Sequence, residues 1–370
     1  MSTRDENPNP GDLFQLLTCA WIPDALCLVA RLGIADELAE TARTADDLAA
    51  RVGIAGSPVR LFRVLRALTT AGVFRLVDGT HFELTPLGQF LRRNIPGSMR
   101  AAAMAFHASW RQAAWKHLES AVRGAPSGFA REFGVGLFDY LGSHKEEARA
   151  FYDGQSDIVA LTDDAIVKSY DFSRCSRIVD VAGGQGSLLC RILAAYPRLQ
   201  GVVFDLPYAI AEARARDLAT AAGVANRVSY VGGDVFDSLP AGADLYLIQR
   251  FIHGWEDEPA TAILANCRAA IQPAGRLVLV EALVMPGKPR SLGAFFDLEM
   301  MVVAGGKART EDEFRVMFEA VGFHLTNIID TGTPFSIIEA VCCGKIPDRA
   351  SGKTNKKHFR PLMRKVRSNA

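Results

Sequence analysis

The stretch RIVDVAGGQGSLLCRIL, from Arg177 to Leu193, together with GVVFDLP ending at Pro207, decides how this chain folds. Residues 178–181 are a short apolar run with the length and β-branched content of a buried strand. Ala182, Gly183, Gly184, Gln185 and Gly186 follow with almost no side-chain bulk. Residues 187–195 then carry apolar residues at helical spacing, and a second apolar run, 202–204, ends on Asp205 and Leu206. Strand, glycine turn, helix, strand, acid is the grammar of a nucleoside-cofactor site in a doubly wound α/β sheet. Glycine lets the backbone come close to a ligand. A carboxylate ending the second strand can accept both ribose hydroxyls.

Spacing narrows the cofactor. A dinucleotide fold wants G-x-G-x-x-G, the third small residue allowing close helix packing. Counting from Gly184 that residue is Leu189, and from Ala182 it is Ser187; neither suits. The run fits D-x-G-x-G-x-G instead, with Asp180 in the strand and Ala182 at the first small position, which is the S-adenosylmethionine pattern. No Gly-Lys-Ser/Thr follows, so a phosphate loop is excluded. Taken alone the turn is also compatible with a tight βα connection in any α/β protein.

The chain beyond strengthens the reading. Residues 228–231 form a third strand pattern running into GGDVF at 232–236, where Asp234 and Val235 would meet an adenine and Phe236 could pack on its ring. Residues 245–248 form a fourth, leading into Gln249, Arg250, Phe251, Ile252, His253, Gly254 and Trp255. A helix is expected over 258–270 and a fifth strand over 276–280, ending on Glu281. Ligands in such sheets bind at the carboxyl ends of the strands. Asp180, Asp205, Asp234, His253 and Glu281 all fall there, and this convergence is more specific than the glycine turn.

Composition bounds the rest. A chain of 370 residues, 49% of them apolar, can bury a large core in two or so domains. A net charge of +1 gives no global sign of nucleic acid or an acidic partner. Seven cysteines without a C-x-x-C read as reduced thiols, and no metal is assigned. The polar, acidic start MSTRDENPNPGD predicts no signal peptide. With no apolar run near 18 residues, no membrane span is expected. The expected location is the cytoplasm.

Residues 13–95 follow another grammar. An apolar helix is predicted over 28–39. A second starts at Thr44 with Asp46 and Asp47 in its first turn. A third opens at Ser57-Pro58 and closes at Gly72. Residues 74–77 and 81–84 alternate around Asp78-Gly79 as a hairpin. Helix, helix, helix, hairpin is a winged helix, for which DNA binding is the obvious reading. Arg60, Arg63 and Arg66 would line one helix face. Glu37, Glu40, Asp46 and Asp47 lie close by, and no further basic cluster supports phosphate contacts. A dimerisation module is therefore preferred, with the apolar N-terminal segment (Phe14, Leu17, Trp21, Ile22) seeking a second chain. Residues 96–170 read as a helical, aromatic-rich linker and pocket region, and 345–370 as a basic, disordered tail.

These motifs together resemble the small-molecule O-methyltransferases that join a winged-helix dimerisation domain to a Rossmann-like methyltransferase domain, the plant phenolic enzymes and their bacterial relatives in aromatic antibiotic pathways. The carrying residues are DVAGGQG at 180–186, FDLP at 204–207, GGDVF at 232–236, FIHGWEDE at 251–258 and GGKARTEDEF at 305–314. The resemblance implies a mostly α-helical winged-helix dimerisation domain followed by a seven-stranded α/β domain over 171–344, a homodimer, S-adenosyl-L-methionine as cofactor, and a small aromatic substrate. It implies that Asp205 holds the ribose, Asp234 and Val235 the adenine, and the backbone of Ala182, Gly183 and Gly184 the amino-acid end, with Gln249 or Arg250 near the cofactor. It implies that His253 is the general base and Glu281 the acid that orients it. Acceptor-pocket candidates are Trp110, Phe151, Gln155, Trp255, Phe295, Phe296, Glu299, Met300 and Met301.

Three positions depart from the family pattern: Gly254 where aspartate is common, Ala308 where a second acid flanks the base, and Gln155 where a methionine clamps the substrate ring. The weaker acid frame suits an already acidic hydroxyl or catalysis by proximity. It also leaves room for a relative that methylates a ring nitrogen or uses the cofactor without methyl transfer.

Overall fold

The computed structural model describes residues 9–54, 56–288 and 291–343. The tail expected over 345–370 lies outside the described residues. The chain forms two compact units, one from residues up to 112 with 144–160, the other from 113–143 with residues from 161 on.

The first unit packs the helices Trp21–Leu32, Ala45–Arg51 and Pro58–Thr70 against a three-stranded sheet in the order Arg43–Thr44, His81–Leu84, Phe74–Val77. Leu48, Leu65, Phe74 and Phe82 form its fully buried centre. The Thr44 hydroxyl caps the second of these helices by accepting from the Asp47 N–H at 3.2 Å. Pro58 opens the third, although the Ser57 side chain makes no capping bond. At the hairpin Asp78 (φ +50) and Gly79 (φ +78) turn the chain in left-handed conformations.

Two expectations change here. The single helix over 28–39 is instead Trp21–Leu32, ended by Gly33 at φ +73, followed by the short Ile34–Glu37. Glycine tolerates that left-handed cap, and the apolar spacing ran through it unmarked. The apolar start of the chain also needs amending. Pro10–Leu32 has the length and hydropathy, 1.7, of a membrane-crossing helix by composition. It divides into Pro10–Thr18 and Trp21–Leu32, with Leu13, Phe14, Leu17 and Trp21 all more than half exposed.

The second unit is built on a seven-stranded sheet, ordered Phe323–Asp330, Ser336–Cys342, Arg276–Glu281, Leu245–Gln249, Arg177–Val181, Gln200–Asp205, Val228–Gly232. Ser336–Cys342 runs antiparallel to both neighbours, and all the other pairings are parallel. The central strands are buried on both faces, which is why they read as unbroken apolar runs. From Arg177–Val181 the chain winds outward one way through Gln200–Asp205 to Val228–Gly232. It then returns to lay Leu245–Gln249 on the other side of the first strand. That reversal opens a crevice at the carboxyl ends. Register aligns the ends: Val181 with Phe204, Asp205 with Gly232, Gln249 with Val280. A short parallel ladder, Leu283–Val284 with Arg309–Thr310, follows beyond the fifth strand.

Phe82, fully buried with its ring 5.3 Å from that of Phe62, tests the first unit's core. Phe82→Ala should cost about 3–5 kcal/mol in urea denaturation, whereas Val59→Ala on the exposed face of Pro58–Thr70 should change stability by under about 0.5 kcal/mol.

Candidate active site

The glycine turn leaves the first strand through Ala182, which takes φ +55, a left-handed conformation in a residue with a side chain. Gly183 sits so tightly over Asp180 that an added Cβ would lie 2.6 Å from its carboxylate. At Gly184 (φ +56) a Cβ would meet nothing within 4 Å, so the turn presents bare backbone to open space. Asp205 is drawn back onto this turn. Its carboxylate accepts from the Gly184 N–H at 2.8 Å and the Leu206 N–H at 2.6 Å. Gly233 packs against the Phe204 ring and bonds the Asp205 carbonyl at 2.9 Å, so the third strand's loop is seated beside the second strand's end. There Asp234 accepts from the Phe236 N–H at 2.9 Å, and Val235 is buried.

Three carboxyl groups crowd this side. Asp180 is buried, and burial first, then the charges of Asp163 and Asp205, push its pKa up to about 8. Burial also raises Asp205 and Asp163 above the usual carboxylate range, against the hydrogen bonds that hold their ionised forms. Asp163 and Thr162, in the last third of the long helix Lys145–Ser169, were not found by sequence reasoning. Asp163 accepts from Ser187 Oγ at 2.8 Å and from Gln249 Nε2 at 3.0 Å. Only the helical run around it could have marked it. Arg250 follows at φ +51, half-buried, its guanidinium 5.1 Å from the Phe335 ring centroid. Burial lowers it to about 10, against the pull of Glu281 and Asp163.

His253 lies on the short turn Ile252–Gly254 just past the fourth strand. Its Nδ1 pairs with Glu281 Oε2. The other oxygen of that carboxylate accepts from the backbone N–H groups of Ile252 at 2.9 Å, Phe251 at 3.1 Å and His253 at 3.4 Å. The imidazole is thereby fixed with Nε2 left to take a proton. The Phe296 ring stands edge-on to it at 4.9 Å.

The Trp255 ring, expected in the acceptor pocket, meets Phe236 at 5.0 Å and Phe251 at 5.9 Å. Phe296 and Glu299 share the helix Leu292–Glu299, and Met300 and Met301 open the π-helical turn that follows. Glu299 accepts from Trp115 Nε1 at 2.6 Å. Phe295 is exposed. Trp110, Phe151 and Gln155 belong to the first unit, where Trp110 and Phe151 are buried with ring centroids 6.3 Å apart. At Gly254 a side chain would meet nothing within 4 Å. Ala308 is buried, and its N–H donates to Asp297 at 2.9 Å, an acid that sequence reasoning passed over.

This is the architecture of a methyltransferase. Residues 115–324 match the O-methyltransferase domain family and residues 14–94 the O-methyltransferase dimerisation domain, so the chain belongs to the O-methyltransferase family. It is 38% identical over 333 residues to the phenazine O-methyltransferase PhzM of Lysobacter antibioticus, covering 90% of this chain and 96% of that protein. It is 34% identical to the 8-amino-8-demethylriboflavin N,N-dimethyltransferase of Streptomyces davaonensis, over 85% of this chain and 90% of that one. The SAH-bound structure of CalO1, a methyltransferase in calicheamicin biosynthesis, superposes with a TM-score of 0.83 at 30% identity, covering 92% of this chain and all of that one. The enzyme is an S-adenosylmethionine-dependent methyltransferase.

The residues fit that cofactor. Bare backbone at Gly184 leaves room for it, and a cluster of buried, mutually repelling carboxyls suits a ligand that brings an ammonium and a sulfonium.

The Asp180 shift has a measurable consequence. Its folded pKa lies above the unfolded value, so its contribution favours folding in acid and is lost as pH rises through about 8. Asp180→Asn has no such loss. The melting temperature of the variant, measured without cofactor, should gain on that of the wild type from pH 5 to pH 9.

Proposed function

We propose that this enzyme methylates a hydroxyl of a small aromatic natural product, with His253 as general base. The observation that carries the proposal is the His253–Glu281 pair, buried at the carboxyl end of the sheet beside the cofactor crevice. Glu281 holds Nδ1 and sets the tautomer, so Nε2 faces the acceptor with a free lone pair. A phenol has a pKa near about 10, and its anion is the better nucleophile. Proton removal by a positioned histidine typically contributes about 10²–10⁴-fold. When bound, S-adenosylmethionine supplies the electrophilic methyl group. Asp205 would hold the ribose, Asp234 and Val235 the adenine edge, and Phe236 with Trp255 would wall the ring. Gly183, Gly184, Gln249 and Arg250 surround the amino-acid end. Phe296, Met300 and Met301 line the acceptor side. The names of the phenazine and calicheamicin relatives support an aromatic natural product as acceptor.

Methylation of an aromatic nitrogen is the second reading. The N,N-dimethyltransferase relative and the departures at Gly254 and Ala308 favour it. A screen of phenols, naphthols, hydroxyphenazines and aromatic amines with labelled cofactor separates the two. On a hydroxyl acceptor His253→Ala should cut kcat by about 10²–10⁴-fold, leave the affinity for the demethylated cofactor unchanged in calorimetry, and recover partially at high pH. Glu281→Gln should cost less. A silent His253→Ala with methyl still transferred would sink the general-base role and promote the second reading. Asp205→Ala should abolish most cofactor binding.

The dimerisation domain is proposed to make a homodimer through its apolar N-terminal face. Leu13, Leu17 and Trp21 are each exposed by more than 60%. Light scattering should give a dimer, and Leu17→Glu with Trp21→Glu should give a monomer.

A further inference from the structure

The turn that carries His253 is held from a second side, by residues outside the base and its acid. Arg309 is fully buried although it bears a permanent charge. Its Nη1 donates to the carbonyls of Ile252 at 3.3 Å and Lys307 at 2.9 Å, and its Nη2 to the carbonyl of Trp255 at 2.8 Å. Nε donates to Asp257 at 2.9 Å, the one carboxylate in reach of the guanidinium among these contacts. Apart from the bond to the Lys307 carbonyl within its own run, the planar fork is directed at the backbone on both flanks of His253 and at the helix start just beyond it. Between them the Lys307 N–H donates to the His253 carbonyl at 2.9 Å. Gly306 makes the approach possible: a Cβ there would lie 2.3 Å from that carbonyl oxygen and 2.5 Å from the Gly254 carbonyl carbon. Lys307 Nζ closes the frame with Asp257 at 3.1 Å and Glu313 at 2.8 Å.

We infer that Arg309 is a positioning residue for His253, and that the run from Gly306 to Arg309 is a clamp that fixes the height and tilt of the imidazole relative to Glu281. The inference rests on the reading of His253 as the base. Glu281 collects the N–H groups of residues 251–253, and the clamp collects the carbonyls of 252, 253 and 255. Neither set alone defines the turn. A two-residue or three-residue turn tethered on one side rotates about that tether, and a displacement of about 1 Å at a reacting group can cost on the order of 10²-fold in rate. Lysine at 309 keeps the charge beside Asp257 but cannot span three carbonyls with one ammonium.

The test reads the imidazole directly. In histidine-labelled wild type, the Nδ1–H proton of His253, identified by its loss in His253→Ala, should appear as a downfield resonance hydrogen-bonded to Glu281. Arg309→Lys should broaden or erase it and lower kcat by about 10–100-fold on the hydroxyl acceptor of the panel that turns over fastest. KM for that acceptor and calorimetric affinity for S-adenosylhomocysteine should stay within about threefold. In a His253→Ala background Arg309→Lys should add no further loss. An unmoved resonance, or a loss of rate that simply multiplies with that of His253→Ala, overturns the clamp. If Arg309→Lys does not fold, Gly306→Ala puts a methyl against the His253 carbonyl without removing a buried charge, and the same resonance must shift. A silent His253→Ala would remove the general-base reading on its own, since the resonance reports the clamp whatever the histidine does.

Discussion

The structure of this site depends on one carboxylate. Glu281 ends the fifth strand, almost completely buried, with its Oε1 accepting from consecutive backbone N–H groups and its Oε2 holding the histidine. A buried carboxylate without such donors would be neutralised or expelled. Here the donors come from the turn it must organise, so satisfying the acid and shaping the turn are the same event. The strand fixes Glu281 through its pairing with Ser336 on one side and its register with Leu245–Gln249 on the other. One of the two anchors of the imidazole is therefore inherited from the sheet.

The two sides of the crevice solve opposite electrostatic problems. At Glu281 both carboxylate oxygens are answered by the turn they organise. Around Asp180 the carboxyls of Asp163 and Asp205 repel it, and burial adds to the penalty. Such a cluster lowers the stability of the ligand-free fold, and groups with strongly shifted pKa values gather at functional sites for this reason. A fixed turn on the base side and crowded, buried carboxyls on the cofactor side divide the labour of holding a proton acceptor still and of favouring a cation.

Much of this was legible in the sequence because the strand ends carry it. Asp180, Asp205, Asp234, His253 and Glu281 sit near, at or just beyond the carboxyl ends of strands, and the chain order places all of them on one edge of the sheet. What could not be read came from elsewhere. Asp163 reaches the site from a helix whose pattern marks it only as polar. Arg309 stands in a recognisable motif, but nothing in the letters says that its guanidinium turns inward to the carbonyls of another loop. Attention to Ala308 as a missing acid overlooked Asp297, which meets Ala308 through its backbone. The strands Phe323–Asp330 and Ser336–Cys342 are part exposed, the first bulged between Leu325 and Asn327, so they lack the apolar runs of the buried strands Arg177–Val181, Leu245–Gln249 and Arg276–Glu281.

The π-helical turn Met300–Ala304 returns the N–H groups of Gly305 and Gly306 to the single carbonyl of Met300. A π turn holds one residue more than an α turn in the same axial space. The extra residue shifts the helix carrying Phe296 and Glu299 by one position relative to the run beginning at Gly306. Phe296, whose ring stands against the imidazole, and Gly306, whose backbone meets the His253 carbonyl, thus reach the same histidine from the two sides of one register break.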